Sequence, residues 1–464
     1  MTTYYPRLID RYLLEWSKRP SHKPILLRGA RQVGKSSAVR HLGESFNIFI
    51  EINFEKRPEL KNIFKKDLNV DRIVRELEIV NRGKKVIDGE TLLFFDEIQE
   101  CPEAIMALRY FKEDRSSLHV IAAGSLLEFA IEDLPTFGVG RIHTMFMYPM
   151  SFDEFLLANE AQGLIEIRNE ASPMNPLSTI AIDELISLFR SYILVGGMPE
   201  VVDEWIKTRS YIQCQELQDD LLLTYEADFS KYKGKSDANL LLDTLKGAAL
   251  QLGNKFVYTK LENNYKAEKI KSAINLLVKA GLLNIVYKTS ANGLPLGGEI
   301  DKRYFKLLLL DSGLTLRLLN YNIDELNNLS LHVLTSKASD LVNKGSLTEM
   351  VAGLEIMRYQ SPNIRQETYY WSREEKNSLA EVDYLTALMG NIIPIEVKSG
   401  TQGGMKSLWM FMDLKNISIG LRTSLENFGV IKQKDSDRKV IICPLFALSQ
   451  IQRIYHLEMD SLTF

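Results

Sequence analysis

Short apolar runs alternate with amphipathic stretches over residues 1–165, the rhythm of a parallel α/β sheet. Four runs are read as strands: residues 24–28, 47–52, 91–96 and 118–123. Each is apolar without interruption, as a strand buried on both faces requires, and each runs into a turn or polar break. A polar stretch with two prolines, residues 170–176, marks a surface loop. The next region, 180–248, holds few glycines and predicts helices. A helix is expected over 266–279, where Ile270, Ile274, Leu277 and Val278 form one stripe. Strands at 282–287 and 304–308 follow, with Asn292-Gly293 as a turn between them. Helices followed by a two-stranded ribbon predict a winged helix over 249–335. From Ser339 onward the expected order is a helix (346–359), strands (367–371, 380–388, 392–398), a helix (405–413) and strands at 417–421 and 440–443.

At 464 residues the chain exceeds one ordinary core; about 150 residues per domain gives roughly three domains. Its 45% apolar and 25% charged residues exclude bulk disorder, collagen and coiled-coil rods. A net charge of -3 gives no global field toward nucleic acid, which leaves only local patches to do so. Three distant cysteines exclude a disulfide framework and a cysteine-rich zinc site, and they suit a reducing compartment. The N-terminus lacks a signal-peptide core, and no apolar stretch is long enough to span a membrane. The expectation is a soluble cytoplasmic protein.

The first chemical signal is Gly29-Ala30-Arg31-Gln32-Val33-Gly34-Lys35-Ser36, which fits G-x-x-x-x-G-K-[ST]. An apolar strand precedes it and a helical stretch follows. Glycines let successive backbone N–H groups turn inward onto phosphate oxygens, and the helix N-terminus adds partial positive charge. Lys35 is expected on the β- and γ-phosphates, and the Ser36 hydroxyl on Mg²⁺. Gly29, Gly34, Lys35, Ser36 and Ser37 are therefore the expected nucleotide-binding residues. A second motif, Leu92-Leu93-Phe94-Phe95-Asp96-Glu97, delivers two acids to the end of a buried strand. Asp96 is expected to hold Mg²⁺, and Glu97 to polarise the attacking water. Ser125, after the fourth strand, is read as a γ-phosphate sensor or as a helix N-cap before Leu126. Arg141, after Gly138-Val139-Gly140, supplies charge to the transferring phosphate, in cis or from a neighbouring subunit, or makes a surface ion pair.

These residues resemble a prokaryotic family of AAA-type ATPases joined to a C-terminal domain of uncharacterised function. The segments 95–99, 123–125, 140–141, 149–155 and 195–200 share in that resemblance. It implies ATP as the nucleotide and places Gly197 and Pro199 near the base or lid. It leaves ring assembly open. The expected fold is thus a P-loop NTPase sheet (1–165), a helical lid (166–248), a winged-helix domain (249–335) and a C-terminal α/β domain (336–464).

The winged-helix candidate carries Lys266, Lys269, Lys271 and Lys279, with Lys255, Lys260 and Lys288 nearby in sequence. Such a face suits double-stranded DNA, or else a solvated helix acting as an intramolecular lever. In the last domain, Asp383 on one strand is followed thirteen residues later by Glu396-Val397-Lys398. Alternation puts Glu396 and Lys398 on one face. Two carboxylates there suit Mg²⁺ at a phosphodiester, with the lysine stabilising charge. Element order and motif resemble the PD-(D/E)xK restriction-endonuclease-like superfamily. That resemblance implies Glu349, Asp383, Glu396 and Lys398 as the catalytic set, with Glu349 a third metal ligand. The proline often found before the first acid is replaced by Val382. The expected function is a Mg-dependent ATPase coupled to a nuclease-like domain acting on DNA. A nucleotide-gated nuclease and a non-catalytic ATP switch are the alternatives.

Overall fold

Five short strands build the first sheet in the computed structural model: β1 (Ile25–Arg28), β2 (Ile48–Asn53), β3 (Thr91–Asp96), β4 (His119–Ala123) and β5 (His143–Phe146). The structure describes residues 3–460 apart from 126, 133, 135–139, 231–235, 262–264, 321–343, 376–377, 401–403 and 435. Strand order is β2-β3-β4-β1-β5, and every pairing is parallel. All six residues of β3 and all five of β4 are buried, which accounts for their unbroken apolar sequence. β5, an edge strand with His143 and Thr144 half-buried, gives no such signal and is an addition to the expected four. Aromatic rings fix the end of β3. Phe95 lies 5.5 Å from Phe64 and 5.9 Å from Phe111 between ring centroids, in edge or tilted contact. That packing places the next residue, Asp96, at the sheet's C-terminal edge.

This first compact unit ends at Pro149, with Lys279–Leu282 and Ser361–Arg365 added to it. Residues 150–165, expected in the first domain, belong to the second unit. The reason is aromatic and polar packing. Phe152 stacks edge-on against Phe189 at 5.0 Å and lies 5.5 Å from Tyr192. Its N–H donates to Glu355 Oε2 at 2.9 Å. The Tyr192 hydroxyl sits 2.6 Å from Glu355 Oε1 and 2.9 Å from the Met150 carbonyl. Arg358, fully enclosed, donates to Glu355 at 3.0 Å, to the Leu310 carbonyl at 3.1 Å and to the Met150 carbonyl at 3.2 Å. The Gly196-Gly197 turn joins this cluster. Gly197 N–H donates to Asp311 at 2.6 Å, and a Cβ on Gly197 would fall 2.1 Å from the Met150 carbonyl.

The second unit contains the expected run of helices, among them Thr179–Val195, Pro199–Thr208, Tyr211–Phe229 and Ala238–Leu250. Its sheet has eight strands: β6 (Leu283–Thr289), β7 (Ile300–Leu309), β8 (Thr368–Glu375), β9 (Ser378–Leu388), β10 (Asn391–Val397), β11 (Ile419–Ser424), β12 (Gly429–Lys432) and β13 (Lys439–Pro444). The order is β12-β13-β11-β10-β9-β8-β6-β7. The ribbon expected as the wing of a separate winged helix is therefore corrected. β6 pairs in parallel with β8 through Val286–Thr368, Tyr287–Tyr369 and Lys288–Tyr370, so the β6–β7 hairpin is part of the C-terminal sheet. Its backbone groups find partners about eighty residues downstream, which no local pattern reveals. The boundary expected at 335/336 lies outside the described residues. Strand β12 and the closing helix Ile451–Asp460 are additions. Among the described residues no helix is long and apolar enough to cross a membrane.

Candidate functional site

The loop between β1 and the helix Lys35–Gly43 curls through two glycines with positive φ, 150° at Gly29 and 98° at Gly34. A Cβ on Gly29 would lie 2.2 Å from the Met147 carbonyl, so only glycine fits. Lys35 folds over this loop and donates to the carbonyls of Gly29 (2.9 Å) and Ala30 (2.7 Å). It is 7% exposed. Burial pulls its ammonium down to about 8, against the opposing pull of Glu97 and Asp96. Arg7 braces the loop from outside, donating to the Val33 carbonyl at 2.8 Å and the Tyr148 carbonyl at 2.7 Å. Ser37 follows as the third residue of the helix and is exposed.

Ser36 and Asp96 meet directly. The serine hydroxyl donates to Asp96 Oδ1 at 2.8 Å. Asn53, at the end of β2, donates to Asp96 Oδ2 at 3.0 Å. A hydroxyl and a carboxylate side by side at a phosphate loop are the hard oxygen donors that Mg²⁺ takes. Glu97 adopts left-handed backbone geometry, φ 51°, and its carboxylate accepts from Gln99 Nε2 at 2.6 Å. That conformation is costly for glutamate and holds its side chain off the strand direction. Gln99 also fills the space above Gly124, where a Cβ would fall 2.1 Å from its Oε1. Ser125 is half-buried two residues beyond β4, the strand between β1 and β3, and so lies at the same sheet edge. Arg141 does not join these groups. It pairs with Glu113, the surface ion pair weighed as its alternative. Gly138 and Val139 before it, and Leu126 after Ser125, lie outside the described residues.

The second unit brings another set of expected residues together. Carboxylate oxygens of Glu349, Glu381 and Asp383 all lie within 4.8 Å of one another. Glu349 comes from the helix Lys344–Arg358, the other two from β9. Where the β8–β9 ladder shifts register, Tyr369 pairs with Leu385 and Trp371 with Val382. Two residues, Asp383 and Tyr384, thus oppose the single Tyr370, a bulge that re-aims Asp383. Asp383 Oδ2 accepts from the Val397 N–H at 2.7 Å, and Lys398 donates to Glu396 Oε1 at 2.5 Å. Lys306 of β7 donates to Glu349 at 2.7 Å and to Glu381 at 2.5 Å. Burial and the neighbouring carboxylates push Glu349 up to about 8 and Glu396 up to about 7. Lys306 is raised despite its burial, because Glu349, Glu381 and Asp383 surround it.

Residues 21–156 match a family described as AAA domain. The first domain is a P-loop domain of the AAA type. Residues 186–325 and 344–446 match two families described as domains of unknown function, DUF8612 and DUF4143. No curated protein matches the chain significantly. Among solved structures, the Walker-type ATPase of Pyrococcus abyssi is 17% identical, with 68% of this chain and 96% of that chain covered and a TM-score of 0.43. Unliganded Pif1 from a Bacteroides species is 15% identical, with 39% and 49% covered and a TM-score of 0.21.

Arg7 and Asn53 of the first unit escape sequence reasoning, because single polar residues outside a motif carry no signal; Gln99 stands inside the segment 95–99, but nothing in that segment marks its role. Glu381 had one: it stands two residues before Asp383. The buried Lys35 makes a prediction for the AAA domain. A triphosphate stabilises the ammonium and raises its pKa, so above about pH 8 ATP binding must take up a proton. Calorimetry in buffers of different ionisation enthalpy should show close to one proton taken up at pH 9 and far less at pH 7. Equal uptake at both would contradict the assignment.

Proposed function

We propose that the AAA domain binds and hydrolyses Mg-ATP. The carrying observation is the Ser36–Asp96 hydrogen bond, set between the enclosed Lys35 and the turned-out Glu97. Backbone N–H groups of residues 29–36 bind the phosphates, and Lys35 meets their negative charge. Ser36 and Asp96 would hold the Mg²⁺, which neutralises charge on the phosphates. Glu97, kept in place by Gln99, accepts the proton of the attacking water, and Ser125 contacts the γ-phosphate. Release of inorganic phosphate from ATP by the full chain, with and without EDTA, tests this. Mg-dependent release is expected; neither binding nor release would overturn the reading. Tight binding without turnover would make the domain a switch.

We further infer that the C-terminal sheet contacts nucleic acid and is nuclease-like, driven by the ATP cycle. Double-stranded DNA is the expected form. The carboxylate set Glu349, Asp383 and Glu396 with Lys398 supports this, and so does a basic patch beside it. Lys255, Lys288 and Arg303 all lie within 5.6 Å of the centre of the half-exposed Tyr304 ring. Cation contacts to phosphates release counterions and make binding salt-dependent, and stacking of an unpaired base on an aromatic ring is worth about 1–3 kcal/mol. The double variant Lys288→Ala/Tyr304→Ala is expected to weaken DNA binding at least about tenfold. Fluorescence anisotropy at two salt concentrations reads this, and unchanged affinity at both would remove the patch from the interface.

A further inference from the structure

Lys306 and Glu381 belong to no part of the D…ExK pattern, yet they complete its carboxylate cluster. Lys306 is 1% exposed, and its ammonium touches Glu349 and Glu381, with the Tyr370 ring centre 5.1 Å away. It is a cation in a site built for one. One ammonium does not balance the set. Glu349, Glu381, Asp383 and Glu396 bring four carboxylates against Lys306 and Lys398. The Glu396 side chain is 8% exposed, and its Oε2 is buried with no hydrogen-bond partner. A buried carboxylate oxygen left unpaired is costly unless something else binds it. Oxygens within 4.8 Å of one another also match a hard cation, since two ligands at about 2.4 Å from one ion lie at most about 4.8 Å apart.

We propose that Glu349, Glu381 and Asp383 form a divalent-cation site held closed by Lys306, which acts as its resident cation until a metal displaces it. The lysine and the metal compete for the same oxygens, and their like charges exclude joint occupancy. Lys306 sits on β7, an edge strand of its sheet whose one ladder is with β6; the neighbouring Phe305 carbonyl also accepts from the Phe256 N–H at 2.9 Å. Withdrawal of Lys306 therefore disturbs one ladder and the Phe256 contact, fewer backbone bonds than at a strand laddered on both sides. The proposal rests on the nuclease-like reading only in requiring that this half of the chain takes a metal.

The test uses the full chain without nucleotide and Mn²⁺ as probe, with free Mn²⁺ followed by electron paramagnetic resonance. Lys306→Met is expected to gain one Mn²⁺ site per chain, at least tenfold tighter than in the unaltered protein. Lys306→Arg should behave as the unaltered protein does. Adding Asp383→Asn to Lys306→Met should remove the gain. Equal affinity in the unaltered protein and Lys306→Met overturns the proposal, as does a folded Lys306→Met that gains nothing. Should that variant not fold, acetylation of Lys306 in the unaltered protein decides. Millimolar Mn²⁺ is expected to raise labelling several-fold, and constant shielding overturns the proposal. Lys306→Met that binds Mn²⁺ but cuts no DNA would remove the phosphodiester reading and leave the closed cation site standing.

Discussion

Replacing Lys35 with alanine is expected to lower ATP affinity at least about a hundredfold and to end phosphate release. The side chain is enclosed, and two loop carbonyls hold its ammonium where phosphate oxygens would arrive. Alanine removes the one buried positive charge of the loop and leaves the Gly29 and Ala30 carbonyls to repel an anion. Glu97→Gln should separate binding from chemistry. The amide keeps shape and polarity but cannot take a proton, so ATP binding stays within about twofold while turnover falls about 10²–10³-fold, within the range of lost general-base catalysis. Isothermal titration paired with single-turnover phosphate release measures both. Undiminished turnover in the two variants would leave the AAA domain without its proposed chemistry.

Arg358→Ala is expected to destabilise the second unit by about 3–5 kcal/mol, the cost of leaving a buried charge unpaired. The guanidinium serves Glu355 together with the Met150 and Leu310 carbonyls. Without it, the Glu355 carboxylate and the Met150 carbonyl share the Tyr192 hydroxyl, Glu355 keeps the Phe152 N–H, and the Leu310 carbonyl loses its donor. Burial already pushes Glu355 up from the usual carboxylate range, with Arg358 the main counterweight. Urea unfolding followed by tyrosine and tryptophan fluorescence measures the loss. A shift below about 1 kcal/mol would mean the cluster relaxes and is no anchor.

Legibility in the sequence followed how local each signal was. β3 and β4 announce themselves because strands covered on both faces must be apolar throughout, and Ser36 and Asp96 follow from two compact motifs. β5 sits at an edge, where three of its four residues are only partly buried, and loses that signature. The β6–β7 hairpin was visible as two strands, but its partner was not, since Val286 meets Thr368 across a long stretch of intervening chain. The same distance hides Lys306 from any reading of the D…ExK motif. Arg141 shows the converse. A glycine-flanked arginine after the fourth strand invites a catalytic role, while the folded chain supplies Glu113 as its partner. Asn53 and Gln99 touch the key acids only because β2 and the turn after β3 converge there.

The pairing of β6 with β8 also decides what can be exchanged as a module. Residues 344–464 made alone would carry a raw margin along β8, its N–H and C=O groups open to any stray strand. Such a fragment would recruit copies of itself to cover that margin. Recombination that moves this fold between proteins must therefore carry residues 283–309 as its protective hem.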